Sequence, residues 1–223
     1  MIDKVVARAD QAVSGVRDGD VVLIGGFGAV GVPVHLIDAL VRLGRRDLTI
    51  VSNNCGTGET GLALLFKHHL VSKAYASFPA QAGNHHFVAA YESGECRLEL
   101  VPQGTLAERL RAAAAGLGGF FTPTGAGTEL MAGKETREID GRMHVFELPL
   151  RGDVALVTAQ RGDRFGNLRH RRSSRNFNPV MAMAARLTVA QVEEVVAPGT
   201  IDPDDVHTPG IFVDKVVPIG GAR

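Results

Sequence analysis

A short apolar run, a glycine-rich or amide-rich turn and then an amphipathic segment recur in this order along the first half of the chain. The first such unit consists of Val21–Ile24, the turn at residues 25–31, and a segment at residues 33–44 whose apolar residues have helical spacing. Parallel strands need a crossover connection, and a helix is the usual one. A series of these units therefore predicts an α/β fold with an open, mainly parallel sheet and helices on both faces.

The same patterns predict the other elements of the first half. These are an amphipathic helix at residues 2–16, strands at Leu48–Ser52 and at residues 71–77 and 98–101, and helices at residues 61–70, 87–93 and 106–115. Thr105 and Glu108 match the capping box of a helix start, which favours a helix beginning just after Thr105.

The second half has a different pattern. Asp140-Gly141 lies between two strand-like runs and predicts a tight hairpin. Further strands are predicted at residues 154–158, 168–172 and 187–196, with a helix at residues 180–185. No linker composition interrupts the chain. We therefore expect one domain over residues 1–223, with a β-rich C-terminal part.

Charge and composition exclude several functions. Lys and Arg number 24 and Asp and Glu number 24, so the formal net charge is zero. A neutral chain has no overall field to attract nucleic acid or an anionic membrane, and no run approaches the length of a membrane span. A secretory signal pattern is also missing, so we expect a cytoplasmic protein. The two cysteines, Cys55 and Cys96, cannot form a disulfide framework.

The turn after the first strand contains the pattern Gly-x-Gly-x-x-Gly at residues 26–31. This pattern is typical of dinucleotide sites, in which an acidic residue about 20 positions later binds the ribose. That place holds Ser52, Asn53 and Asn54, and the same glycine pattern occurs again at residues 56–61. NAD(P) is therefore disfavoured. Two readings stay open: the glycines serve tight turns only, or the loop and the following helix start bind an anionic ligand.

A complete set of catalytic groups is not visible. No nucleophile motif or paired metal ligands occur, and the neighbours His85 and His86 would not share a face of a regular element, so no metal site is expected. Glu59 is interpreted as an acid near a helix start. By contrast, Asn53, Asn54 and Gln103 follow predicted parallel strands, where ligands gather. Amides can stabilise an oxyanion but supply no nucleophile, so the site resembles half of an active site.

Seven segments in chain order resemble the A subunit of the 3-oxoacid coenzyme A-transferases. They read IGGFG (24–28), SNN (52–54), PQGTLAER (102–109), FTPTG (121–125), GKE (133–135), RNFNP (175–179) and HTPGIFV (207–213). The segment SFPAQ at residues 77–81 resembles the 3-oxoadipate branch of that family, and the Tyr-Val-Gly-Glu-Asn segment typical of acetoacetate-type members is absent. Cys55 and residues 83–86 match no pattern of the family.

The resemblance implies a reaction and a partner. CoA would move from succinyl-CoA to a 3-oxoacid, most simply 3-oxoadipate, in the β-ketoadipate pathway of aromatic degradation. The nucleophilic glutamate would belong to a separate chain, the B subunit of the transferase, in an A₂B₂ complex. CoA and acyl-CoA would be substrates, with no permanently bound cofactor.

The resemblance also implies roles for residues of this chain. Gln103 would be an oxyanion donor, and Asn53 and Asn54 would line the pocket. The CoA-associated loop would comprise Gly25, Gly26, Phe27, Gly28, Ala29, Val30 and Gly31, with Gly28 expected to need an absent Cβ so that the backbone can approach the ligand. The alternatives are the corresponding chain of an acetoacetate-type transferase and, less favoured, an NAD(P)-binding oxidoreductase.

Overall fold

The computed structural model describes residues 2–220. Its strands are β1 (Val21–Ile24), β2 (Leu48–Ser52), β3 (Val71–Ala76), β4 (Arg97–Leu100), β5 (Phe120–Thr122), β6 (Thr136–Ile139), β7 (Arg142–Glu147), β8 (Gly152–Asp163), β9 (Leu168–Arg169), β10 (Ala185–Val196) and β11 (Lys215–Pro218). Its α-helices are α1 (Ala9–Val13), α2 (Val34–Leu43), α3 (Leu62–Lys67), α4 (His85–Glu92), α5 (Gln103–Ala114) and α6 (Asn178–Ala184). Within these residues, no helix is long and apolar enough to cross a membrane.

The main sheet has the strand order β11-β10-β8-β1-β2-β3-β4, and every neighbouring pair along it is parallel. The short β9 adds an antiparallel partner to β8. β1 lies at the centre, with Val22 opposite Ile50 of β2 and Val154 of β8. The carboxyl ends of the parallel strands therefore meet along one edge of the sheet. The predicted α/β class and the mainly parallel sheet are confirmed.

Two apolar cores cover the two faces of this sheet. One contains Val22 and Ile24 of β1 and packs against α1, α2, α3 and α4. The other contains Leu23 of the same strand and packs against α5 and α6. This division follows from the period of two in a strand, which sends successive side chains to opposite faces. Helices on both faces are therefore confirmed.

The antiparallel part of the fold lies in the middle of the chain. β5, β7 and β6 form a separate three-stranded sheet, and β6 and β7 are joined by the predicted Asp140-Gly141 turn. Both turn residues have positive φ, 50° and 72°, as a two-residue hairpin of this type requires. The later strands β8, β10 and β11 instead join the main parallel sheet. The C-terminal part is thus β-rich as predicted, but most of it is parallel.

The predicted helix at residues 2–16 is largely wrong, because only α1 is helical. Val5 forms a parallel bridge with Val216, and the Nζ of Lys4 donates to the carbonyls of Gly210 and Val213 at 2.8 and 2.7 Å. These contacts with the distant β11 region hold the first residues extended. Tertiary contacts override the helical spacing here.

The capping box predicted at Thr105 and Glu108 is also wrong. α5 begins at Gln103, two residues earlier, so Thr105 lies inside the helix. Its side chain is buried and its hydroxyl has no partner within residues 2–220, while Glu108 pairs with Arg111 at 2.6 Å. Thr105 faces the core and so cannot turn back to cap the helix start.

Candidate active site at the carboxyl edge of the sheet

A network of hydrogen bonds joins the ends of four strands. The backbone N–H of Gly28, after β1, donates to Oδ1 of Asn53 at 3.4 Å. Asn53 follows β2 and donates from Nδ2 to Oε1 of Gln103, after β4, at 3.3 Å. The backbone carbonyl of Asn53 accepts from the N–H groups of Ser77 and Phe78, after β3. Asn53 is 4% exposed and therefore holds the neighbouring strand ends together from inside.

Asn54 connects the glycine loop to the loop after β2. Its Nδ2 donates to the carbonyl of Gly28 at 3.1 Å, and its Oδ1 accepts from the N–H of Gly56 at 2.8 Å. The side chain is 3% exposed, so both of its polar ends are used within the protein. Asn54 therefore has a structural role, because its side chain holds the two loops of the site together.

Gln103 is the exposed member of this group. Its Oε1 accepts from Asn53, and its Nε2 group forms no hydrogen bond within residues 2–220. Gln103 is also the first residue of α5, and the first N–H groups of a helix have no intrahelical acceptor. A side-chain donor and the positive end of a helix therefore lie together at this edge, which suits a developing negative charge.

The glycine loop is held by a buried asparagine that the sequence analysis did not assign. Asn178 has 0% exposure; its Oδ1 accepts from the N–H of Thr158 at 2.9 Å, and its Nδ2 donates to the carbonyls of Gly31 and Ser174 at 3.0 and 2.9 Å. A Cβ on Gly25 would overlap the Asn178 side chain, and one on Gly31 would lie 2.7 Å from the Ser174 carbonyl. Gly25 and Gly31 are therefore required by close packing.

Gly28 has a different reason to be glycine. A Cβ there would meet nothing within 4 Å, but the residue has φ of +59°, which most side chains disfavour. Packing within residues 2–220 therefore does not require glycine at position 28, and the expectation that a ligand approaches the backbone there stays a prediction. Beside it, Phe27 and Val30 exchange backbone hydrogen bonds of 3.0 and 3.1 Å and are each 47% exposed. The tip of the loop is therefore apolar and exposed, and these two backbone hydrogen bonds hold its conformation.

The start of α2 does not offer its N–H groups to a ligand. Oε1 of Gln191, on β10, accepts from the backbone N–H groups of His35 and Leu36 at 3.1 and 3.2 Å. Gln191 is 2% exposed, so this cap is internal. The protein itself therefore occupies these two donors of the helix start, whereas binding of an anionic ligand by the glycine loop stays a prediction.

Asn53, Asn54 and Gln103, hereafter the amide group, lie beside a cavity of about 290 Å³, and of the three only Asn54 lines it. The walls also include Gly28 and Ala29 of the predicted site, together with Thr57, Thr60 and Gln81. Gln81 belongs to the segment that resembles the 3-oxoadipate branch. The cavity has polar hydroxyl and amide groups beside apolar walls at Val32 and Leu62, which fits a small polar organic acid or part of a larger thioester.

Neither candidate nucleophile near the cavity is suitable. Cys55 is buried, and burial raises the pKa of its thiol well above the usual range, so the thiolate is not formed at neutral pH. Glu59 is fixed by Lys67, which lowers the pKa of its carboxyl to about 2 together with His86 and His85. A carboxylate this acidic is a weak nucleophile.

The histidine pair departs from its sequence interpretation. His85 and His86 are the first residues of α4, and the Nε2 atoms of both contact Oε1 of Glu59, at 3.2 and 2.8 Å. The expectation that sequence neighbours would not converge is wrong, because the Nε2 atoms of both rings reach the same carboxylate oxygen from another loop.

The sequence analysis missed Asn178, Gln191, Thr57, Thr60 and Gln81 as residues of the site. Asn178 and Gln81 lie in segments that carry the family resemblance, so a signal was present for them. No sequence signal marked Gln191, which lies within a strand. Its role as a cap of α2 depends on the pairing of β10 with β8 beside the centre of the sheet. The roles of Gln103, Asn53, Asn54 and residues 25–31 toward a ligand stay predictions.

Comparison with known proteins defines the class. Residues 6–218 match the coenzyme A transferase family, so the chain belongs to that family. It is 53% identical over 222 residues to the A subunit of 3-oxoadipate CoA-transferase from Pseudomonas putida, covering 100% of this chain and 96% of that protein. The corresponding protein of Acinetobacter baylyi is 54% identical over 219 residues, covering 98% and 96%. The A subunit of succinyl-CoA:3-ketoacid coenzyme A transferase from Helicobacter pylori is 45% identical over 215 residues, covering 96% and 92%.

Solved structures have the same fold. Glutaconate coenzyme A-transferase from Acidaminococcus fermentans superposes with a TM-score of 0.85 at 22% identity, over 97% of this chain and 76% of that one. An acyl-CoA transferase from Escherichia coli O157:H7, in a thioester complex with CoA, gives 0.83 at 24% identity, over 100% of this chain and 49% of that one. At these identities the similarity establishes the fold.

Proposed function

We propose that this chain is the A subunit of an enzyme that moves CoA from succinyl-CoA to 3-oxoadipate. The observation that carries the proposal is identity of 53–54% over essentially the whole chain to two proteins with that transferase in their names. Identity to succinyl-CoA:3-ketoacid relatives is 44–47%. An acetoacetate-type acceptor is therefore the second candidate.

The amide group supports a division of labour between two chains. Residues 2–220 place amides and backbone N–H groups at the carboxyl edge, while Glu59 and Cys55 are unsuited to attack a thioester. A glutamate of the B subunit would attack the thioester carbonyl of succinyl-CoA and expel CoA thiolate, forming a mixed anhydride. The thiolate would then attack the glutamyl carbonyl and release succinate, and 3-oxoadipate would reverse these steps.

In this scheme Gln103 acts on the carbonyl oxygen during each attack. Its Nε2 group donates to the oxygen as negative charge develops, and Asn53 keeps that group oriented through its bond to Oε1. Such a donor strengthens as the charge grows and so lowers the barrier. The exposed tip at Phe27 and Val30 supplies apolar contact for the CoA side of the substrate.

We also propose that the chain forms an A₂B₂ complex with the B subunit and that the enzyme acts in the cytoplasm. CoA and acyl-CoA are its substrates, with no permanently bound cofactor. The decisive experiment co-expresses this chain with its B subunit, then compares kcat/KM for 3-oxoadipate and acetoacetate with succinyl-CoA as donor. A clear preference for 3-oxoadipate is expected. A preference for acetoacetate would replace the acceptor, and transfer by this chain alone would refute the division of labour.

A further inference from the structure

A three-residue cluster lies outside the amide group, where the loop after β2 meets the start of α4. It consists of Glu59, His85 and His86, hereafter the Glu-His-His cluster. Oε1 of Glu59 lies 3.2 Å from Nε2 of His85 and 2.8 Å from Nε2 of His86, and the three atoms lie within 4.8 Å of one another. The two imidazole rings are 4.1 Å apart and tilted by 49°. The proposed scheme for the transfer reaction uses none of these groups.

These separations match those of metal ligands. In a tetrahedral zinc site with bonds of about 2.0–2.1 Å, neighbouring ligand atoms lie about 3.3–3.4 Å apart. The contacts of Glu59 Oε1, 3.2 and 2.8 Å, are near and somewhat below that spacing, and the two Nε2 atoms lie within 4.8 Å of each other, so side-chain rotations are needed to admit an ion. Two imidazoles and one carboxylate are ligands that zinc accepts in proteins, and such sets leave one position open.

The surroundings hold the ligands in place. Nζ of Lys67 contacts the other carboxylate oxygen of Glu59, Oε2, at 2.5 Å, which leaves Oε1 to face the histidines. The N–H of Gly58 donates to the carbonyl of Gly83 at 2.8 Å and ties the two segments together. The side chains of Glu59 and His85 are 53% and 59% exposed, so an ion can enter from solvent. The Lys67 charge opposes the ion, but it lies on the far oxygen.

We propose that the Glu-His-His cluster is a surface Zn²⁺ site, with Nε2 of His85, Nε2 of His86 and Oε1 of Glu59 as ligands and water in the remaining position. Thr57, Thr60 and Gln81, which line the cavity, belong to the same two segments as the cluster. Bound Zn²⁺ therefore links two of the segments that form the cavity. The site is independent of the transfer reaction, and its failure would leave the proposed function unaffected.

The test is calorimetric titration of the chelator-treated full chain with Zn²⁺ at about pH 7.5, where imidazole is mainly neutral. One Zn²⁺ per chain is expected, with a melting temperature that rises as Zn²⁺ is added. His86→Ala and Glu59→Gln should each weaken binding at least about tenfold, since even the loss of an outer partner costs 10–100-fold. If His86→Ala does not fold, His85→Ala is used in its place, because the His85 side chain is more exposed.

His69→Ala is the matched control. His69 contacts the carboxylate of Glu95 at 2.8 Å and lines the same surface depression as His86, but among residues 2–220 that pair is not part of a three-ligand group. The control should bind Zn²⁺ as the wild type does. Absence of Zn²⁺ binding by the wild type, or unchanged affinity in folded His86→Ala and His85→Ala variants, would overturn the proposal.

Discussion

Asn53 donates from its buried side-chain amide to the exposed side-chain amide of Gln103 over 3.3 Å. The carbonyl half of Gln103 is thereby used within the protein, and its NH₂ half, with two donors, is directed away from Asn53. The N–H of Gly28 fixes the other end of Asn53. A single buried amide therefore orients the donor proposed for the reaction and connects it to the glycine loop.

We expect Gln103→Ala, assayed together with the B subunit, to lose mainly kcat, with a smaller change in KM. Removing one oxyanion donor typically costs on the order of 10²–10³ in kcat, because the interaction strengthens only as charge develops. Gln103→Glu should be at least as poor, since its carboxylate would repel the oxyanion. Steady-state kinetics with succinyl-CoA make the measurement.

Gln160→Ala is the control for this series. Gln160 accepts from the guanidinium of Arg169 at 2.9 Å and forms no hydrogen bond with Asn53 or Gln103 within residues 2–220, so its loss should leave the proposed donor in place and kcat unchanged. A Gln103→Ala enzyme within about threefold of wild-type kcat would show that Gln103 only supports the strand end, since a lost donor costs far more.

Gly25→Ala and Gly28→Asn should show that glycine is needed at position 25 for lack of space and at position 28 only for its backbone conformation. The added Cβ at position 25 overlaps Asn178, and overpacking of this kind costs about 1–3 kcal/mol or more. At position 28 there is room, and asparagine tolerates a positive φ better than other side chains. Denaturant unfolding should show strong destabilisation for the first variant and little for the second. Equal losses would contradict the distinction.

Asn178→Ala should destabilise the fold and loosen the glycine loop. The substitution leaves the N–H of Thr158 and the carbonyls of Gly31 and Ser174 without their partner, and each buried unpaired group costs about 1–3 kcal/mol. We expect a loss of roughly 2–5 kcal/mol in the free energy of unfolding. Asn178→Asp should not rescue it, because a carboxylate cannot donate to two carbonyls. Wild-type stability of either variant would contradict this role.

The stability of the chain should fall in mild acid because of His170. Burial, helped by the charges of His207 and Arg175, lowers the pKa of His170 to about 4. Unfolded histidine has a pKa of about 6.5, so as pH falls from about 6.5 to 4 the unfolded chain takes up a proton that the folded chain does not. The free energy of unfolding therefore falls over this window, by roughly 3 kcal/mol in total.

His170→Asn should reduce this pH dependence, whatever its effect on stability at neutral pH. Denaturant unfolding at about pH 7 and pH 4.5, the two sides of the titration, makes the comparison. His144→Ala, on the separate antiparallel sheet, should keep the wild-type difference between the two pH values. An unchanged difference in His170→Asn would show that another group titrates.

Local patterns predicted most of the fold. β1 and β2 begin and end at the predicted residues, because short apolar runs bounded by turn residues have few alternatives in a buried parallel sheet. The helix predicted at residues 2–16 was largely wrong, because Val5 and Lys4 bind a region more than 200 positions away. The predicted start of α5 was also wrong, because the Thr105 side chain is buried in the core and does not cap the helix.

The site was predictable where it follows strand ends. Asn53, Asn54 and Gln103 come together because the ends of parallel strands meet at one edge. The contacts that shape the glycine loop were not predictable, because Asn178 and Gln191 reach it from strands and helices near the C-terminus. The convergence of His85 and His86 on Glu59 depends likewise on how two loops are placed.

The position of β1 has a consequence for synthesis on the ribosome. β1 pairs on one side with β2 and on the other with β8, which begins at Gly152. Until β8 emerges, the nascent N-terminal half exposes an unpaired, wholly apolar strand edge of the kind that promotes aggregation. The support of the glycine loop is completed later still, when Asn178 and Gln191 have been made. We therefore expect this chain to need rapid completion or chaperone protection more than a protein whose central strands are adjacent in sequence.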